Sequence, residues 1–179
     1  MNPQALLEKL PLVQDWIGRT LAEHSKQAQP VVSYGFPRLG NFYSNELLTA
    51  AKVIEIKCVP MPPLSSFGLA GFGEFENGNY AGITFLDTYF VQSGEASRES
   101  LHFHELVHVV QWQHLGADRF LMAYALGYFQ GGDYRANPLE VMAYNLQEYF
   151  EKGGQPINVE ATVRQQLDGL IPALEHAFK

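Results

Sequence analysis

Cysteine is nearly missing from this chain: Cys58 stands alone in 179 residues, which excludes an intrachain disulfide and any zinc cluster built on several thiolates. Basic side chains are also scarce. Twelve Lys and Arg face 19 Asp and Glu, a net charge of −7, so there is no positive excess to neutralise phosphates or anionic lipid, and neither nucleic acid nor a membrane is an expected partner. No apolar run approaches the ~20 residues of a membrane span. The richest stretch, 101–110, is interrupted by three histidines and a glutamate. The opening MNPQALLEKLPLVQDW places Glu8, Lys9 and Asp15 where a signal peptide needs an unbroken apolar segment, so the expected location is cytoplasmic. Five glycines fall between Gly68 and Gly82, but no Lys-Ser/Thr follows them, and a phosphate-cradling loop is excluded in favour of turns. Internal repeats and low-complexity linkers are absent as well.

What is present is the material for a core: 46% of the residues are hydrophobic and only 17% charged. The length fits one domain, 1–179, with an N-terminal helical extension over about 1–50. Leu6, Leu7, Leu10, Val13, Ile17 and Leu21 recur at helical spacing, with Pro11 as a break or restart. Ser44 is placed to cap a short helix through Ala51, and KVIEIKCV alternates as a strand with one wet face. Asn77-Gly78, flanked by aromatic residues, predicts a hairpin, and ITFLDTYFV over 83–91 predicts the next strand. Helices then dominate: Ser97 to about Leu115, Asp118 to about Phe129, Asn137 to about Lys152, and a last one after Pro156. Helix, small mixed or antiparallel sheet, then a helical half describes an α+β domain.

The third quarter of the chain holds His104-Glu105-Leu106-Val107-His108, an HExxH pattern within a predicted helix. At 100° per residue the two histidines lie about 40° apart on one face, one turn apart, where both imidazoles reach one ion. Glu105 lies about 60° from His108, close enough to touch a metal-bound water without ligating the metal, as a general base must. A random order of these residues contains the pattern on the order of 0.01 times. Leu106, Val107, Val109 and Val110 make the helix largely buried, and buried imidazoles and carboxylates need partners, which a shared metal supplies. The competing reading is a polar cluster satisfied without metal.

A catalytic zinc takes three protein ligands and keeps a position for water. Four residues compete for third place. His114 stands six residues after His108, but Gln111 replaces the glycine that would turn the chain back, and along a continuing helix His114 is about 120° round and about 9 Å further on. His102 lies about 160° from the His104 direction, under the strand layer or at the surface. Asp133, in a Gly-Gly-Asp loop, remains open. Glu140 is preferred, because Asn137-Pro138-Leu139-Glu140 opens a helix whose face continues through Ala143 and Tyr144, with Ala143 permitting close approach. By itself N-P-x-E also reads as a capping box.

HELVHVVQW followed by DYRANPLEVMAYN resembles the gluzincin clan of zinc metallopeptidases in its compact, minigluzincin form, over about Tyr80 to Phe150. The resemblance implies a zincin-like fold, with the small sheet packed on the HExxH helix and offering an edge to extended peptide. It implies Zn2+ held by His104, His108 and Glu140, with Glu105 as general base. The clan's electrophilic His or Tyr has no unambiguous counterpart; Tyr134 is the nearest candidate and Tyr144 the alternative. Arg135 is placed to pair a substrate carboxylate or to form a structural ion pair. Met122 and Met142 read as core rather than as a Met-turn. The expected function is zinc-dependent hydrolysis of a peptide or protein substrate; the alternative is a zincin-fold scaffold that retains zinc with little or no catalysis.

Overall fold

The computed structural model describes residues 6–131 and 134–177, so Asp133 lies outside the described residues. Helix α1 (Leu10–His24) carries Pro11 in its first turn, where a missing N–H costs no hydrogen bond, so the proline begins the helix rather than breaking it. Its apolar stripe, Leu10, Val13 and Ile17, is buried. A two-residue strand, β1 (Gln29–Pro30), leads through short 3-10 turns to α2 (Asn45–Ala50). Ser44 Oγ accepts from the Leu47 amide at 3.1 Å and caps that helix. The alternating segment that follows is β2 (Lys52–Ile56).

The expected Asn77-Gly78 hairpin does not form. A 3-10 turn at Ala70–Phe72 runs into the short helix α3 (Gly73–Glu76), with the Asn77 amide closing on the Gly73 carbonyl at 3.1 Å. Long-range contacts outweigh the turn signal: Leu69 and Phe72 are buried, and the Glu76 carboxylate accepts from the Ser65 amide at 2.8 Å and its hydroxyl at 3.0 Å. The hairpin lies one segment later. Residues 83–91 divide into β3 (Gly82–Phe85) and β4 (Thr88–Gln92), joined through Leu86 and Asp87, with Leu86 at φ 61°. No glycine marks that turn, which is why it reads as one continuous strand.

The sheet is mixed, in the order β1-β2-β4-β3, with β2 and β4 parallel in the register Val53↔Tyr89 and the outer pairs antiparallel. The long helical segment α4 (Glu99–Gly131) is two arms, 99–115 and 117–131, broken at Gly116, whose φ of 73° and ψ of 168° only glycine adopts at low cost. Helices α5 (Pro138–Glu151) and α6 (Val159–Ala177) complete the α+β architecture, and both pack on α4.

The core lies between the sheet and the first arm of α4. Tyr89, Phe90 and Val91 meet Phe103, Leu106 and Val110, while α1 and α6 add Ile17, Val163 and Leu167. Burial of each such side chain contributes roughly 1.5–3 kcal/mol. Polar ties hold the helix in place: Trp112 Nε1 donates to the Thr84 carbonyl of β3 at 3.1 Å, and Tyr43 Oη, from the turn before α2, to the Phe103 carbonyl at 2.7 Å. Among the described residues no helix is long and apolar enough to cross a membrane.

Candidate metal centre

The first arm of α4 places His104 and His108 on one face, and the first turn of α5 brings Glu140 opposite them; all three are buried. The two Nε2 atoms are 3.1 Å apart, His108 Nε2 is 3.3 Å from Glu140 Oε1, and His104 Nε2 is 3.5 Å from Glu140 Oε2. Donors at 2.0–2.1 Å from a tetrahedral ion stand about 3.3 Å from one another, so the triad has the dimensions of a zinc-sized site. Glu140 Oε2 is buried without a hydrogen-bond partner, an arrangement a cation would relieve. These three residues can hold a metal ion.

Glu140 is not the returning half of a capping box. Asn137 Oδ1 accepts from the Leu139 amide at 3.0 Å and caps α5, while the glutamate turns inward to the imidazoles. Its orientation comes from residues that local patterns do not reveal. Tyr124, on the second arm of α4, donates to Glu140 Oε1 at 2.8 Å, and Asn137 Nδ2 donates to the Tyr124 carbonyl at 2.9 Å. Gly127 makes room for this docking, since a Cβ there would lie 2.6 Å from Asn137 Oδ1 and 2.8 Å from Pro138 Cδ. Gln111, fully buried, joins the two halves: its Nε2 donates to the Leu139 carbonyl at 3.0 Å, and its Oε1 faces His108 Nδ1 at 2.8 Å. With the amide so oriented, His108 carries its proton on Nδ1 and turns Nε2 to the site, the relation metal-ligating imidazoles require of their outer partners. The one clue to Gln111 in the sequence is its i+3 relation to His108.

Burial alone would push the His108 imidazole down. The charges of Glu140 and Glu105, with hydrogen bonds donated to Glu140 and to Gln111, instead raise it to about 9. Burial would likewise raise Glu140, but the two imidazoles hold its carboxyl well below the usual range. A dissociable proton thus occupies His108 in the metal-free site at neutral pH, while Glu140 stays ionised.

Glu105 projects to the β3 side of the triad. Thr84 Oγ1 donates to its Oε2 at 2.6 Å, and Gly82 is what lets β3 come so near, because a Cβ there would stand 2.5 Å from Glu105 Oε1. Burial raises the Glu105 carboxyl, opposed by His104, His108 and the Thr84 hydroxyl, so this group is a stronger base than an ordinary glutamate. Its carboxylate faces a polar cleft of about 510 Å³ whose lining includes His104, Tyr134, Arg135, Tyr144 and Glu151. Tyr134 begins the turn before α5, and burial, the Glu140 charge and a hydrogen bond to Glu140 raise its phenol far above neutrality, so it remains a proton donor. Tyr144 lies against His104 with ring centroids 4.6 Å apart, and the Arg135 guanidinium sits 5.4 Å from the centre of the Tyr144 ring.

The other candidates stand elsewhere. His114 Nε2 pairs with Asp168 Oδ1 at 2.7 Å, which ties α4 to α6. His102 lies beneath the strands: its Nε2 donates to the Ala96 carbonyl at 2.9 Å, and its Nδ1 accepts from Tyr89 Oη at 2.8 Å. Burial lowers its pKa to about 4, so it is neutral and structural. Met122 and Met142 are buried in the core, Met142 with its sulfur 3.5 Å from Gln111 Nε2. Comparison with protein-family models, curated proteins and solved structures returned no match.

Proposed function

We propose that the protein is a zinc-dependent hydrolase of peptide bonds, with His104, His108 and Glu140 as zinc ligands and Glu105 as general base. The observation that carries this reading is the placement of a buried, basic carboxylate beside, but not within, a three-donor set of two imidazoles and one carboxylate. A site serving structure alone is normally closed by four protein ligands and has no use for Glu105. The cleft in front of Glu105 provides room for extended substrate.

Zinc held by these residues supplies a Lewis acid for the scissile carbonyl and makes water acidic enough to deprotonate near neutrality. Glu105 takes the proton of the attacking water and delivers it to the departing amine, while Thr84 holds the carboxylate in the rotamer that serves both transfers. Tyr134, neutral and lining the cleft beside Glu105, would turn its one O–H from Glu140, which the metal would engage, to the oxygen on which charge develops.

The test is Glu105→Gln. It should retain the fold and about one zinc per chain by atomic absorption, yet hydrolyse a peptide library at least about a hundredfold more slowly, since a general base contributes about 10²–10⁴. Undiminished cleavage in this variant would eliminate the mechanism. Zinc-loaded wild-type protein that cleaves nothing would leave the retained-zinc scaffold as the better reading.

A further inference from the structure

Glu140 turns both carboxylate oxygens toward the imidazoles, and their surroundings differ. Oε1 accepts from Tyr124 Oη at 2.8 Å, whereas Oε2 is buried without a hydrogen-bond partner, 3.5 Å from His104 Nε2. An oxygen already engaged in a charge-assisted hydrogen bond is the poorer donor to a cation, and the unpartnered oxygen is the better one. Tyr124 is itself held in place from two sides. Its carbonyl accepts from Asn137 Nδ2 at 2.9 Å, at the start of the helix that carries Glu140, and its ring packs near Phe75 and Phe120, with centroids 5.7 and 5.8 Å away. The kink at Gly116 gives this arm of α4 a direction of its own, apart from the arm that carries the histidines.

Support around the triad is uneven. Gln111 holds His108 Nδ1, but His104 Nδ1 is buried with no partner, so outer support falls on His108 and Glu140. We propose that Tyr124 is the positioning residue of Glu140: by engaging Oε1 it makes Oε2 the single metal-binding oxygen and keeps a coordination position open for water. The proposal rests on the ligand set assigned above. With both oxygens on the ion, two imidazoles and one carboxylate would fill all four positions of a tetrahedral site, and water would have to enter as a fifth ligand. Tyr134 cannot take this part, because it lines the polar cleft, where the proposed reaction draws its O–H toward substrate. Tyr124 does not line that cleft, and its hydroxyl stays with the carboxylate.

The experiment has two readouts on the full-length protein, neither of which needs a substrate. Tyr124→Phe removes one hydroxyl and keeps the ring. Its zinc affinity, measured by competition with a chromophoric chelator, should fall about 10–100-fold, the usual effect of losing an outer-shell partner. The visible spectrum of the Co2+-loaded protein reports coordination number, since four-coordinate Co2+ absorbs more strongly than five-coordinate. The wild type should show the strong bands, and Tyr124→Phe, with both Glu140 oxygens released to the ion, the weak ones. Phe120→Leu loosens the same arm, through its stacking on Trp112 at 4.0 Å, without touching the hydroxyl, and should keep the strong bands. Weakened binding with unchanged bands, or the same spectral change in Phe120→Leu, makes Tyr124 a packing residue and overturns the proposal. So does unchanged affinity in Tyr124→Phe, with the metal centre left standing. Weak bands in the wild type overturn it without any variant, so it stays open to refutation even if Tyr124→Phe does not fold. A wild type that takes up neither metal overturns the ligand set and this role together.

Discussion

His108 shows how much of the site's behaviour is set by single contacts. Its Nδ1 is held by Gln111, its Nε2 stands 3.3 Å from Glu140, and the pair of neighbouring carboxylates keeps it protonated up to about pH 9. A metal needs the lone pair that this proton occupies. Below pH 9 the ion and the proton therefore compete, and above it they do not. Zinc binding at pH 7 is expected to release about one proton, and the apparent affinity to rise about tenfold per pH unit until it levels near pH 9. Calorimetric titration in buffers of different ionisation enthalpy measures the proton count directly. A count of zero would mean that His108 is neutral in the metal-free protein and that Glu140 does not act on it as the geometry requires.

At the scale of elements, the β3–β4 turn offers a sharp check. Leu86 at φ 61° adopts a left-handed conformation that costs an ordinary residue roughly 1–2 kcal/mol, and its side chain is 39% exposed, so little burial is lost on replacement. Leu86→Gly is expected to stabilise by up to about 1 kcal/mol once glycine's greater freedom in the unfolded chain is counted, and Leu86→Val to destabilise by a similar amount, both read from urea midpoints. This turn also marks where sequence patterns stop being informative. The i,i+4 histidines and the Ser44 and Asn137 caps are legible because local helix geometry decides them, whereas the inward turn of Glu140 depends on Tyr124 from another element. Asn77-Gly78 misleads because Phe72 and Glu76 have distant partners that outweigh a two-residue preference. Gln111, Tyr124, Gly82 and Gly127 are illegible for a related reason. Each matters only through what another element brings against it: the Leu139 carbonyl, the Glu140 carboxylate, the Glu105 side chain and the Asn137-Pro138 corner.

For the molecule as a whole, a metal that bridges α4 and α5 is a ligand of the folded state alone. At a thousand times its dissociation constant, zinc is expected to add about 4 kcal/mol to stability, or roughly 10 °C in Tm for a chain of this length. Scanning calorimetry with and without chelator checks this, and Glu140→Gln should unfold at the same temperature in both. The packing beside the triad acts in the opposite direction. The pocket of about 100 Å³ there is half open and lined by Leu10, Val13 and Ile17 of α1 as well as by Glu105, His108 and Glu140, so α1 packs incompletely against the site. Unfolding eliminates such unfilled space, and the volume decrease on unfolding, about 20 to 100 mL/mol, scales with it. Hydrostatic pressure is thus the perturbant that acts on this cavity most directly. Pressure unfolding followed by tryptophan fluorescence should show a smaller volume change in Val13→Phe than in the wild type, so that a better-filled pocket is read out as resistance to compression.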